Sequence, residues 1–142
     1  MKKFKGLMTS NSGEWSTPQD LFDELNKEFH FVIDVCSSDI NAKCKKHFTK
    51  ENSCFQSNWE SPAFMNPPYG REIGNFIAKA RDEQDKGITI VALLPARTDT
   101  KWFHNYILGK QEIRFIEGRL KFGGSKNSAP FPSMIVIFRG KK

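Results

Sequence analysis

The chain has no long hydrophobic run. Nowhere do about eighteen apolar residues follow one another, so the sequence predicts no membrane-spanning helix. The basic start, Met1-Lys2-Lys3-Phe4-Lys5, leads into no apolar signal core. Cysteine is sparse and odd in number, at Cys36, Cys44 and Cys54. That set offers no disulfide framework, and without a secretory signal it predicts a reducing, cytoplasmic setting. Those cysteines with His47 lack a Cys-x-x-Cys knuckle, so no metal is expected. Nothing locates a Cys–His nucleophile pair. There is no internal repeat and no low-complexity stretch.

What is present suits one domain. A chain of 142 residues with 13 Phe can bury an aromatic-rich core, and residues 1–142 are expected to form a single unit. The net charge of +6 fits a polyanionic partner without requiring one. Thr17-Pro18 precedes Leu21, Phe22, Leu25 and Phe29, an apolar stripe at helical spacing; Thr17 can N-cap and Pro18 suits the first helical position. His30 to Cys36 reads as a buried strand reaching Asp34 near its end. The signal between Ser37 and Pro62 is poor, with a short strand over Lys46–Thr49 and a turn over Ser57–Ser61. Ala63–Met65 is the next strand. Ile73, Phe76, Ile77 and Ala80 mark an amphipathic helix that Gly87 can end. Ile88 to Leu94 reads as a central parallel strand, Thr98 to Leu108 as a capped helix ending at Gly109. Ile113–Ile116 and Met134–Phe138 are further strands, separated by a long exposed loop over Gly118–Ser133. Alternating strands and helices predict a three-layer α/β domain with a mostly parallel sheet. Ligands of such sheets bind beyond the carboxyl ends of the strands, where Asp34 and Asn66 are both expected.

Asn66-Pro67-Pro68-Tyr69 is the most informative stretch. It follows a buried strand, and its two prolines fix the backbone. An amide oxygen and a flat ring are then presented at the rim of the sheet, able to accept from an amino group and to stack on a planar substrate. An exocyclic amine has its lone pair delocalised into the ring and is a poor nucleophile. The Asn66 oxygen and the Pro67 carbonyl can accept its two N–H bonds and free the lone pair for attack. With a good leaving group on the donor, positioning and oriented dipoles suffice.

These residues resemble the phage-type DNA N-6-adenine methyltransferases, of the class I fold that uses S-adenosylmethionine. The resemblance runs from Trp15 to Phe138. It rests on Trp15-Ser16-Thr17-Pro18, Phe31-Val32-Ile33-Asp34, Asn66-Pro67-Pro68-Tyr69, Leu94-Pro95-Ala96-Arg97-Thr98-Asp99-Thr100 with Trp102-Phe103-His104, and Gly118-Arg119-Leu120-Lys121-Phe122. It implies a Rossmann-like class I methyltransferase, compact and with a shortened cofactor half. It implies a phage or prophage origin and action on DNA in the host cytoplasm. Thr17 and Pro18 would close over the methionine end of S-adenosylmethionine. Phe31, Asp34 and Cys36, with Asn66, would line the rest of the cofactor site. Asn66, Pro67, Pro68 and Tyr69 would form the catalytic loop, with Tyr69 and Phe122 on the two faces of a flipped adenine. Arg97, Lys101, Arg119, Lys121 and Lys126 would meet DNA phosphates. No Gly-x-Gly turn follows Asp34, where Cys36-Ser37-Ser38-Asp39 stands instead. The acid for the cofactor ribose is left between Asp39 and Glu51. Other acceptors remain open, among them an RNA base, cytosine N4 or a protein glutamine. So does a non-catalytic DNA-binding remnant.

Overall fold

The apolar run beginning at Ile88 forms the middle of a five-stranded sheet. A computed structural model describes residues 15–37, 41–49, 53–123 and 127–141. The strands among them are β1 (Ile33–Asp34), β2 (Ala63–Met65), β3 (Ile90–Pro95), β4 (Glu112–Phe115) and β5 (Ser133–Phe138), in the spatial order β1-β2-β3-β5-β4. Every residue of β2, β3 and β5 is buried. Successive side chains point to opposite faces, so both faces of these strands are covered. At the β4 edge Glu112 and Phe115 are exposed.

The sheet is mixed, not mostly parallel in its pairings as expected. β1–β2 and β2–β3 are parallel, whereas β3–β5 and β5–β4 are antiparallel. The path explains this. β4 runs in the direction of β3 but one strand away, and β5 returns through the gap reversed.

Helix α1 (Gln19–Phe29) buries Phe22 and Leu25. Phe22 meets Phe64 of β2 edge to face at 5.2 Å. His30 ends the helix in the left-handed region (φ 56°), donating its N–H to Asn26, whose side chain accepts from Phe31 N at 2.8 Å. Thr17 does not cap α1. The cap position is Pro18, with no side-chain hydrogen bond, because the Thr17 hydroxyl is engaged elsewhere. Helix α2 (Ile73–Asp85) buries Ile73, Ile77 and Ala80 as the spacing predicts, and Gly87 follows at φ 100°. Among the described residues no helix is long and apolar enough to cross a membrane.

Four other expectations are corrected. The strand expected over His30–Cys36 is only the two residues of β1. Its end is turned aside by Asp34, whose carboxylate accepts from the N–H groups of Cys36 and Lys43. Lys46–Thr49 is no strand; His47 makes an isolated bridge to Asp34. The helix expected from Thr98 is capped by Thr100, which accepts from Phe103 N, and widens into a π-turn at Phe103–Ile107. Leu108 N there reaches the Phe103 carbonyl, five residues back. The Gly118–Ser133 segment is not simply exposed, since Phe122 and Ala129 are buried within it.

Candidate active site

Three parallel strands end side by side and set the rim. Asp34 closes β1 and pairs in register with Phe64 of β2. Two residues later β2 gives way to Asn66. β3 continues to Pro95 and delivers Arg97 just beyond. Asp34 and Asn66 therefore stand on neighbouring strand ends, as the sequence predicts.

Asn66 is held by a distant segment. Its Nδ2 donates to the Trp15 carbonyl and, at 2.9 Å, to Thr17 Oγ1. A carbonyl can only accept, so the amide nitrogen must face Trp15, and this settles which way the amide points. Oδ1 is then left buried without a hydrogen-bond partner. A buried acceptor left unpaired costs about 1–3 kcal/mol, so natural structures keep few of them. It is the atom that the amino-group chemistry requires to be free.

Tyr69 departs from the expected picture. It is buried, not offered to solvent. Its hydroxyl donates to the Leu93 carbonyl at 3.0 Å, where β3 runs past the end of β2. Burial holds the phenol well above its ordinary pKa, so it stays a donor. Its ring meets Phe131 at 5.5 Å and Phe122 at 6.1 Å, both edge to face. Phe122 is also buried and stands at 88° to Tyr69, so the two rings do not form parallel plates around a base-wide gap. Trp15 completes the cluster at 5.4 Å from both Phe122 and Phe131. A bridge between Ser16 and Gly123 ties these two segments together.

At the end of β1, Asp34 is buried and accepts from Cys36 N at 3.2 Å and Lys43 N at 3.0 Å. Burial pushes its carboxyl up to about 6, outweighing those two amides and the positive charge of His47 and Lys43. Phe31 is half-buried among Phe22, Phe29 and Phe64. Burial, with the adjacent Cys54 thiol, holds Cys36 well above the usual thiol range, so it is a neutral thiol. Among the described residues no three His, Cys, Asp or Glu side chains could hold a metal ion.

A profile of the DNA N-6-adenine-methyltransferase (Dam) family matches residues 6–142. The chain belongs to that family. Among its relatives is a DNA N-6-adenine-methyltransferase of Escherichia phage T1, 30% identical over 124 residues, which are 84% of this chain and 52% of the relative. Another is a DNA N-6-adenine-methyltransferase of Haemophilus phage HP1 (strain HP1c1), 28% identical over 141 residues, 93% of this chain and 82% of the relative. The chain thus spans about half the length of the T1 protein.

In this Dam-family chain the structure joins Thr17 to Asn66, Asp34 to the amide of Cys36, and Tyr69 to Phe122. Pro18 is half-buried at the start of α1, Pro67 is buried and Pro68 exposed. Arg97, Lys101, Arg119 and Lys121 are exposed, and only Arg97 touches the aromatic cluster, 6.0 Å over Phe131. Asp39, Glu51 and Lys126 lie outside the described residues. Sequence reasoning missed the Trp15 carbonyl and Phe131. A backbone carbonyl carries no signal in a sequence, and Phe131 is one of 13 Phe.

Proposed function

We propose that the chain is a DNA adenine N6-methyltransferase that uses S-adenosylmethionine and methylates an adenine flipped out of the duplex. On this reading it is one domain with a Rossmann-like class I fold and a shortened cofactor half, acting in the host cytoplasm. The observation that carries the proposal is Asn66 Oδ1, a buried, unpartnered acceptor fixed in orientation at the carboxyl end of β2. Family membership narrows the amino group to adenine.

The residues on the neighbouring strand end suit the cofactor. Asp34 is a buried carboxylate whose ionised form is undercompensated, and a cation bound beside it would relieve that deficit. Phe31 offers half-buried aromatic surface nearby. S-adenosylmethionine supplies a methyl group on a sulfonium, a leaving group that needs no activation. The chain's own residues do the rest. Asn66 Oδ1 accepts one N–H of the adenine amine and the Pro67 carbonyl accepts the other, which turns the nitrogen lone pair out of the ring plane. No side chain has to remove a proton before attack; the methylated nitrogen is cationic and acidic and then releases one proton to solvent, and Tyr69, a buried donor to Leu93, is no base. Tyr69 anchors the loop instead, and a base that stacks on it must first displace Phe122 or Phe131. Arg97, Lys101, Arg119 and Lys121 meet phosphates.

Incubation with labelled cofactor and unmethylated duplex, followed by nucleoside analysis, tests this. N6-methyladenine is expected. Asn66→Ala should lower turnover by about 100-fold or more while leaving cofactor affinity nearly intact, as loss of an oriented dipole does. N4-methylcytosine, or methylated RNA or protein as the sole product, would overturn the assignment.

A further inference from the structure

We infer that Thr17, together with the Trp15 carbonyl, is a positioning element for the acceptor amide: it locks Asn66 so that Oδ1, and never Nδ2, faces the substrate. This rests on the proposed role of Asn66. It gives Thr17 a task on the acceptor side of the site, distinct from contact with the cofactor.

The two hydrogen bonds are not redundant. An unrestrained primary amide can turn over and present either end at similar cost. Presented with Nδ2, the site would push a donor at the N–H bonds of an amine and repel it. The Trp15 carbonyl forbids that orientation, and Thr17 Oγ1, at 2.9 Å, takes the second amide proton and fixes the tilt. Thr17 is buried, so no water competes for that bond. The pair stands 49 residues apart in the chain, and the Trp15–Thr17 segment is itself pinned by Gly123 N donating to Ser16 O at 2.8 Å. The same geometry selects an amide over a carboxylate at this position. An ionised Asp at 66 would aim an oxygen at the Trp15 carbonyl, acceptor against acceptor. Protonated, it could donate to that carbonyl and keep its other oxygen free.

Two variants and one spectrum test this. Thr17→Val keeps the shape and removes the acceptor. It should lower kcat by about tenfold at saturating cofactor and DNA, with cofactor affinity within about twofold, and Thr17→Ser should restore kcat. If Thr17→Val instead weakens cofactor binding and spares kcat, Thr17 serves the cofactor and the inference fails. Asn66→Asp should be more active at pH 6 than at pH 8.5 by about tenfold at saturating substrates, one pH-dependent group being converted to its neutral form. The charged groups on the adjoining segments include Asp20, Asp34, Arg71, Glu72, Arg97, Asp99, Lys101, Glu117, Arg119 and Lys121. They are common to both proteins, so the wild-type profile subtracts them. A profile for Asn66→Asp parallel to the wild type would sink the idea. The side-chain amide protons of Asn66, followed by NMR in the folded protein, need no activity. They should exchange slowly in the wild type and about tenfold or more faster in Thr17→Val. Equal exchange overturns the positioning role, whereas absence of methyl transfer by the wild type overturns only the function proposed above.

Discussion

Asp34 carries an ionisation that opposes the fold. Its carboxyl titrates at about 6, against an ordinary value of 3.8, chiefly because burial penalises the charge. A raised folded-state pKa favours the protonated form. Its stabilising contribution is therefore complete below the ordinary carboxylate value and is lost as pH rises through about 6. The shift corresponds to about 3 kcal/mol between those limits. Other carboxylates, such as Glu28 and Glu112, are held low by Arg114 and Arg139 and change in the opposite direction below their own range. Asp34→Asn removes only the first effect. Urea unfolding of both proteins from pH 4 to pH 7 should show the wild type gaining on Asp34→Asn toward the acid end, by up to about 3 kcal/mol. A difference that stays constant across that range would mean that Asp34 is not undercompensated. Such a residue is an expensive way to end a strand, and a reasonable place to receive a cation.

At the scale of elements, α2 is fastened to the segment before β2 by a buried carboxylate. Glu83 accepts from Trp59 N at 2.8 Å, Lys86 Nζ at 2.7 Å and Lys79 Nζ at 3.1 Å. Burial pushes its pKa up, but the lysines and the amide overcome this and the group sits below its ordinary value. Glu83→Gln keeps the size, loses the charge and turns at least one accepting position into a donor. It should destabilise the chain by about 1–3 kcal/mol in chemical denaturation, whereas loss of the exposed Arg81–Asp85 pair should have a clearly smaller effect. Equal effects would show that burial adds nothing to the contact. The spacing of α2 was readable because its apolar face repeats and Gly87 follows it; β2, β3 and β5 were readable as apolar runs. The misses are long-range. β1 is cut short by a contact between Asp34 and Lys43, Thr17 gives up its cap for Asn66, and Phe122 is buried under Trp15 and Phe131. Local pattern reports which residues want burial, and it is silent on which distant partner each will meet. The placement of Asp34 and Asn66 on one rim was legible, since it needs only strand ends and neighbouring strands. The locked amide was not.

Across the whole molecule, the two ends of the sheet differ in how charge is compensated. β4 points the same way as β3, and β5 runs against both, so residues 96–101, 116–123 and 127–132 lie at the end where Asn66 stands. Those segments carry Arg97, Lys101, Arg119 and Lys121, all exposed and none in an ion pair among the described residues, beside the exposed carboxylates Asp99 and Glu117. At the other end several cations are paired, although Lys110 there meets only the Asn105 carbonyl. Arg139 pairs with Glu112, and Lys141 and Arg81 share Asp85. Four unpaired cations against two carboxylates thus leave the described residues around the candidate site with a positive excess, which suits a polyanion-binding face. Each cation that neutralises a DNA phosphate contributes about 0.9 to the slope of log affinity against log salt concentration. Replacing Arg119 and Lys121 together by Ala should therefore flatten that slope by about 2 and weaken binding to duplexes of any sequence alike. Arg139→Ala, a cation at the far end already paired with Glu112, should leave the slope unchanged. Fluorescence anisotropy of labelled duplexes over a salt series reads both. A slope indifferent to Arg119 and Lys121, or equally sensitive to Arg139, would mean that DNA does not approach the sheet from the end at which Asn66 waits.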